Sequence, residues 1–209
     1  MPSRIDEALK ATVYHSPSTI PAEIIATMKA DPRSNIILAK LEKYRSGKAN
    51  PRSDDFWIVC TSAIRTSRGT LNRTIDFVAS CTYGVVGKYP LFIYSTRREE
   101  ELTEGYVDPR MHNLALEVRK VTSPRRIFSV YANEIVSRYF SKHWSICTGI
   151  RILSEPYYHA KFSYCSKNTL KRAPVPRHGY QTHIRLATEW DSQRVAELCF
   201  GFANESVSF

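Results

Sequence analysis

The sequence lacks any uninterrupted apolar stretch of about 18 residues, the length that a membrane-spanning helix needs. Its beginning also lacks the apolar segment of a secretory signal, because Arg4, Asp6, Glu7 and Lys10 place charges throughout the first ten residues. These two absences predict a soluble, intracellular, cytoplasmic protein with no membrane partner.

Paired cysteines are missing as well. The five cysteines are odd in number and widely spaced, and each lies in an apolar run: Cys60, Cys81, Cys147, Cys165 and Cys199. A free cysteine in such a run behaves as a small hydrophobic residue. The sequence therefore predicts reduced, structural thiols in a reducing compartment, not a disulfide scaffold.

Several catalytic motifs are absent. The sequence contains neither a Gly-x-Ser-x-Gly elbow nor a Walker-type loop ahead of a helix. The six histidines are not paired with cysteines or carboxylates at metal-ligand spacing, so we predict no metal site. His143 lies on the apolar side of a predicted helix, and we expect it to be buried and hydrogen-bonded.

The formal net charge is +10, which suits an anionic partner or a solvated basic surface. The distribution of charge favours the second interpretation. Arg97 and Arg98 run directly into three glutamates, and the densest basic stretch, residues 167 to 178, contains two prolines and is typical of a linker. We therefore do not expect nucleic acid as a partner, although a basic binding module for nucleic acid or an acidic protein stays open as the alternative function.

The periodicity of the chain predicts alternating groups of helices and strands. Two short helices are followed by three strands, a helix that begins at Asp108-Pro109, a strand, a helix capped by Asn133 and a last strand. The predicted strands are residues 56–61, 75–82, 91–95, 127–131 and 157–165. Hairpins followed by strand-helix-strand connections imply an α/β fold with a central mixed sheet and helices on both faces.

Residues 182–209 resemble the start of a further domain. Residues 182–187 alternate like a strand, Thr188 to Asp191 form a capping box, and Val195, Leu198, Cys199 and Phe202 recur at helical spacing. One strand and one helix do not bury a core of their own. We therefore expect a domain over 1–166, a Pro-containing basic linker over 167–181 and an incomplete unit over 182–209, through which chains could self-associate.

Two stretches resemble the GNAT superfamily of acetyl-CoA-dependent N-acetyltransferases. The first is Phe128-Ser129-Val130-Tyr131-Ala132-Asn133, with Val136, the aromatic pair Tyr139-Phe140 and the closing Gly149-Ile150. It is similar to the family's strand-then-helix pattern. The second, from Ile184 and Arg185 through Ala187, Thr188 and Asp191 to Val195, is similar to the family's first strand and first helix. The resemblance implies a tandem GNAT-like protein that is cut off in its second unit.

This resemblance implies acetyl transfer from acetyl-CoA to an amine on a small molecule or peptide. It suggests Asn133 as a cofactor-binding residue and Tyr139 as the general acid that protonates the leaving thiolate. The family binds the pyrophosphate of its cofactor on a glycine-rich loop at a helix N-terminus. Here the segment 96–110 offers one glycine and four glutamates. The resemblance places the acid seven residues after Asn133, where this chain has Phe140, which has no proton to give; Tyr139 lies one residue earlier. We therefore expect a degenerate unit that is non-catalytic or weakly active.

Overall fold

The computed structural model describes residues 7–65, 71–84, 87–156 and 185–206. The strands are β1 Glu7–Tyr14, β2 Phe56–Arg65, β3 Leu71–Cys81, β4 Tyr83–Gly84, β5 Gly87–Lys88, β6 Leu91–Ser95 and β7 Val130–Tyr131. Five of them form a mixed sheet in the order β1-β2-β3-β6-β7. The helices are α1 Ala22–Lys29, α2 Asn35–Arg45, α3 Glu104–Val121, α4 Glu134–Thr148 and α5 Ser192–Ser206.

Strands β1, β2, β3 and β6 pair in antiparallel fashion, and β6 and β7 form the parallel pair. A parallel pair needs a crossover connection, and α3 supplies it. The short strands β4 and β5 form a separate antiparallel pair.

Alternation along the strands divides the apolar side chains between two cores. Phe77 and Ala79 of β3 pack with α3 and α4, whereas Val78 packs with α1 and α2. Neighbouring side chains of a strand point to opposite faces, so one strand can supply both cores. The mixed α/β sheet with helices on both faces is therefore as the sequence predicts.

The predicted helix ends are largely confirmed. Asn133 is the N-cap of α4, and Gly149 ends that helix in the left-handed region at φ 73°. Gly47, just past α2, also has a positive φ of 70°. Glycine reaches this region without the steric cost of a Cβ, which is why it commonly ends helices.

Three expectations about elements need correction. Strand β1 lies ahead of the first predicted helix and is not among the predicted strands. Helix α3 begins at Glu104, four residues before the predicted start, and contains Pro109 in its interior. The strand predicted over 127–131 pairs only at Val130 and Tyr131, because the short 3-10 turn Pro124–Arg126 occupies the chain just before it.

The chain divides into two compact units, Met1–Ser154 and Glu155–Phe209. In the second, the predicted capping box is confirmed: Asp191 Oδ2 accepts hydrogen bonds from the backbone N–H and the hydroxyl of Thr188 at 2.8 and 2.9 Å. Residues 185–188 are in neither helix nor strand. Part of the strand predicted over 182–187 therefore is not a strand, and its first residues, 182–184, fall outside the described residues. The strand predicted over 157–165 and the linker predicted over 167–181 also fall outside them.

Candidate active site

The parallel strands β6 and β7 part at one end of the sheet. Leu91 opposes Val130 and Phe92 opposes Tyr131, after which β7 gives way to α4 while β6 continues to Ser95. In open α/β sheets, ligands bind in the crevice beyond the carboxyl ends of parallel strands. The N-terminal turns of α3 and α4 follow these strands, so this end of the sheet is the candidate functional site.

Glutamates dominate the connection from β6 to α3. Glu99, Glu100 and Glu101 form a 3-10 turn, and Glu104 opens the helix. The backbone N–H of Arg98 donates to Glu101 Oε2 at 3.0 Å, and this bond lowers the pKa of the Glu101 carboxyl. Negative side chains at a helix N-terminus complement the macrodipole, and they repel a diphosphate.

Asn133 lies where the chain leaves β7 and enters α4. Its Oδ1 accepts a hydrogen bond from the backbone N–H of Ile135 at 3.2 Å. This N-cap satisfies one of the unpaired donors of the first helical turn. Asn133 thus has a structural role as the N-cap of α4, and its contact with a cofactor stays a prediction.

Tyr139 lies between α3 and α4 with only 8% of its surface exposed. A hydrogen bond with Glu104 raises the pKa of its hydroxyl. A general acid works best when its pKa lies near the working pH, and the shift here is in the opposite direction. Phe140, the next residue, is fully buried and stacks on Trp144 with ring centroids 5.9 Å apart.

A buried polar cluster was not predicted from the sequence. At Asp76 the pairing of β2 and β3 shifts by one residue, because Cys60 opposes Phe77 while Thr61 opposes Ile75. Such a β-bulge redirects side chains, and here it leaves Asp76 facing α3. The carboxylate accepts hydrogen bonds from Arg110 Nε, the Tyr106 hydroxyl and the Ser62 hydroxyl, each at 3.0 Å.

The cluster extends from Arg110 toward the edge of the sheet. Its guanidinium lies 3.8 Å from the centroid of the Tyr106 ring and also forms an ion pair with Glu7 of β1. Arg97 lies over the same ring at 5.7 Å. All the polar groups of this cluster bond to one another, so the cluster fastens α3 to the sheet beside the candidate site. A lone aspartate between Ile75 and Phe77 was the only sequence signal for it.

Histidines from two helices also meet. His143 of α4 and His112 of α3 face each other with their Nδ1 atoms 3.3 Å apart, and His143 Nε2 lies 3.0 Å from Asp108 Oδ1. The side chain of His143 is 11% exposed, so this histidine is hydrogen-bonded as expected and is mostly, not fully, buried. The pairing was missed because 31 residues separate the two histidines in sequence.

A surface depression of about 480 Å³ lies elsewhere, on α1, α2 and the turn after α2. Its lining includes neither Asn133 nor Tyr139, and the structure therefore does not connect it with the predicted catalytic chemistry. Four cations and one glutamate line it: Lys29, Lys43, Arg45, Lys48 and Glu42.

Comparison of the chain with protein-family models, with curated proteins and with solved structures found no match. Within the described ranges, no group of three or more His, Cys, Asp or Glu side chains could hold a metal ion. In the same part of the chain, no helix has the length and apolar character needed to cross a membrane.

Proposed function

We propose that the first unit of this chain is a GNAT-like acetyltransferase scaffold. In the full-length form the protein would transfer an acetyl group from acetyl-CoA to an amine. This unit would contribute little or no catalysis of its own. The proposal rests on the resemblance of residues 128–150 to the family, together with the arrangement of strands around them.

The parallel β6–β7 pair is the observation that carries the proposal. Together with α3, these two strands form the strand-helix-strand unit in the order of elements on which the resemblance rests. The two strands separate after two residue pairs, beside the N-termini of α3 and α4. A cofactor with a long, narrow pantetheine arm would suit such a gap. Strand β1 adds support, since it supplies a first strand ahead of α1 as in the family pattern.

The low activity is inferred from the surroundings of the site. Four glutamates precede or open α3 where a diphosphate would need positive potential. The hydroxyl of Tyr139 is engaged by Glu104, and the oxygen of Asn133 is engaged by its own helix. A divergent active enzyme with Tyr139 as its acid is the competing interpretation within this class.

Titration of the whole chain with acetyl-CoA by calorimetry tests the proposal, with CoA and a 3′-phosphoadenosine fragment as controls. We expect no saturable heat from a chain that circular dichroism shows to be folded. Saturable binding with a Kd on the order of 1 μM, about −8 kcal/mol, would overturn the inferred loss of cofactor binding. In that case Tyr139→Phe should abolish turnover without unfolding the chain if the divergent-enzyme interpretation is correct.

The family assignment has a separate test. The resemblance places a strand at 157–165 next in the order of elements after α4. Hydrogen exchange with fragment-level resolution should then show slow amides across 157–165. Fast exchange throughout that segment would count against the GNAT-like scaffold itself, whatever the calorimetry gives.

A further inference from the structure

The hydrogen-bond partners of the two histidines between α3 and α4 indicate which ring nitrogen of His143 faces a proton acceptor. The Asp108 carboxylate accepts from His143 Nε2, with the two atoms 3.0 Å apart. A carboxylate fixes the proton of a neutral imidazole on the nitrogen that faces it. The other nitrogen of His143, Nδ1, therefore holds a lone pair, and it lies 3.3 Å from His112 Nδ1.

We propose that His112 and His143 together bind a divalent transition-metal ion, with Cu²⁺ preferred, through their Nδ1 atoms. Two imidazole nitrogens that each lie about 2.0–2.1 Å from one ion are separated by roughly 2.8–3.0 Å at the 90° angle of a tetragonal site and by roughly 3.3–3.4 Å at the tetrahedral angle, so the range is about 2.8–3.4 Å. The observed separation of 3.3 Å is within this range. The backbones of the two helices thus already hold the ligands at the required spacing.

His112 must change its hydrogen bonding when the ion binds. With a lone pair on His143 Nδ1, the 3.3 Å contact requires Nδ1–H of His112 as the donor in the free protein, and in the complex the ion takes the place of that proton. The proton moves, by exchange through solvent, to Nε2 of His112, so that the ring stays neutral. His112 is exposed on α3, so its ring has room to turn until its lone pair points at the ion.

Asp108 supports the site from outside the coordination sphere. A metal-binding histidine commonly donates its second N–H to a carboxylate, which fixes the ring and increases its basicity. Lys142 Nζ lies 3.2 Å from the same Asp108 oxygen and offsets its charge. Since only two protein ligands are present, water must complete the coordination, and this favours Cu²⁺, which binds nitrogen ligands most tightly of the divalent first-row ions.

The experiment is a titration of the full chain with copper(II) chloride near neutral pH, in the presence of glycine as a competing chelator. Electron paramagnetic resonance of the one-to-one complex should show two coordinated nitrogens. His112→Ala should remove this site. Asp108→Asn should weaken it by about 10- to 100-fold, as expected for loss of an outer carboxylate.

His15 provides the matched control, because it is an exposed histidine on the connection between β1 and α1. His15→Ala should bind copper as the unaltered chain does. The proposal is overturned if His112→Ala keeps the full affinity, if His15→Ala loses it, or if the unaltered chain does not compete with glycine for copper. Circular dichroism of each variant shows whether a loss comes from unfolding, and His112→Gln, which changes an exposed position conservatively, then replaces the alanine variant.

Discussion

The one-residue register shift at Asp76 places a carboxylate in the core, and Arg110 supplies the opposite charge. The bulge turns Asp76 into the core, where its side chain has no exposed surface, and Arg110 is 4% exposed. A buried carboxylate without a partner is strongly unfavourable, and the guanidinium, a tyrosine and a serine together satisfy it. The cluster therefore fixes where α3 lies on the sheet.

Replacing Asp76 with alanine should destabilise the fold by about 3–5 kcal/mol, because Arg110 would remain buried with only the partly exposed Glu7 as its counter-ion. Urea unfolding followed by circular dichroism measures the change. Glu42→Ala is the matched control, since the Lys29–Glu42 pair is solvent-exposed and such pairs contribute about 0–1 kcal/mol. Equal losses for the two variants would contradict the role assigned to the cluster.

The thiols of Cys60 and Cys81 should resist modification in the folded chain. Burial raises the pKa of each thiol to about 12. Since the thiolate is the reactive form, almost none is present at pH 8, and a rise to pH 9 still leaves both protonated. Iodoacetamide labelling read by mass spectrometry should leave these two unmodified until urea is added, while the exposed Cys199 is labelled. Rapid labelling of Cys60 in native conditions would show that β2 opens.

At the scale of elements, Gly149 and Gly105 form an informative pair. Gly149 has φ 73°, whereas Gly105 lies in the first turn of α3, and a Cβ at either position meets no atom within 4 Å. Gly149→Ala should therefore cost about 1 kcal/mol, from backbone conformation alone. Gly105→Ala should be neutral or stabilising by up to about 1 kcal/mol, because alanine favours the helix. Thermal unfolding of both variants measures these changes, and a loss at Gly105 would show that the glycine itself is needed there.

The elements that could be predicted are those with strong local signals. Strand β6 matches its predicted bounds, and the N-cap Asn133 and the final Gly149 delimit α4 as expected. The start of α3 was misplaced because proline usually opens a helix. Here burial of Val107, Arg110 and Met111 holds a helix around Pro109 despite the backbone hydrogen bond that proline cannot make.

The site itself was less predictable than the fold. The residues that meet at the site and beside it are distant in sequence: Tyr106 donates to Asp76, and Glu104 raises the pKa of the Tyr139 hydroxyl. Local periodicity places each of them on a face of its own element and carries no information about the partner. The bulge at Asp76 and the parallel alignment of α3 with α4 decide these contacts, and both are properties of the assembled sheet and helices.

At the scale of the whole molecule, the exposed face of α5 predicts association between chains. Val195 is 45% exposed and Leu198 is 61% exposed, and the two lie on one face of the helix. Contiguous apolar surface of this kind commonly marks an interface. Sedimentation velocity should therefore show a dimer whose fraction rises with protein concentration.

Leu198→Glu should shift this equilibrium toward monomer, because it would bury an unpaired charge. Gln193→Glu introduces the same charge at an exposed position five residues earlier, about 140° away around the helix, and should leave the equilibrium unaltered. A monomer throughout the accessible concentration range would exclude self-association through residues 182–209 and would leave the apolar face of α5 for a different partner.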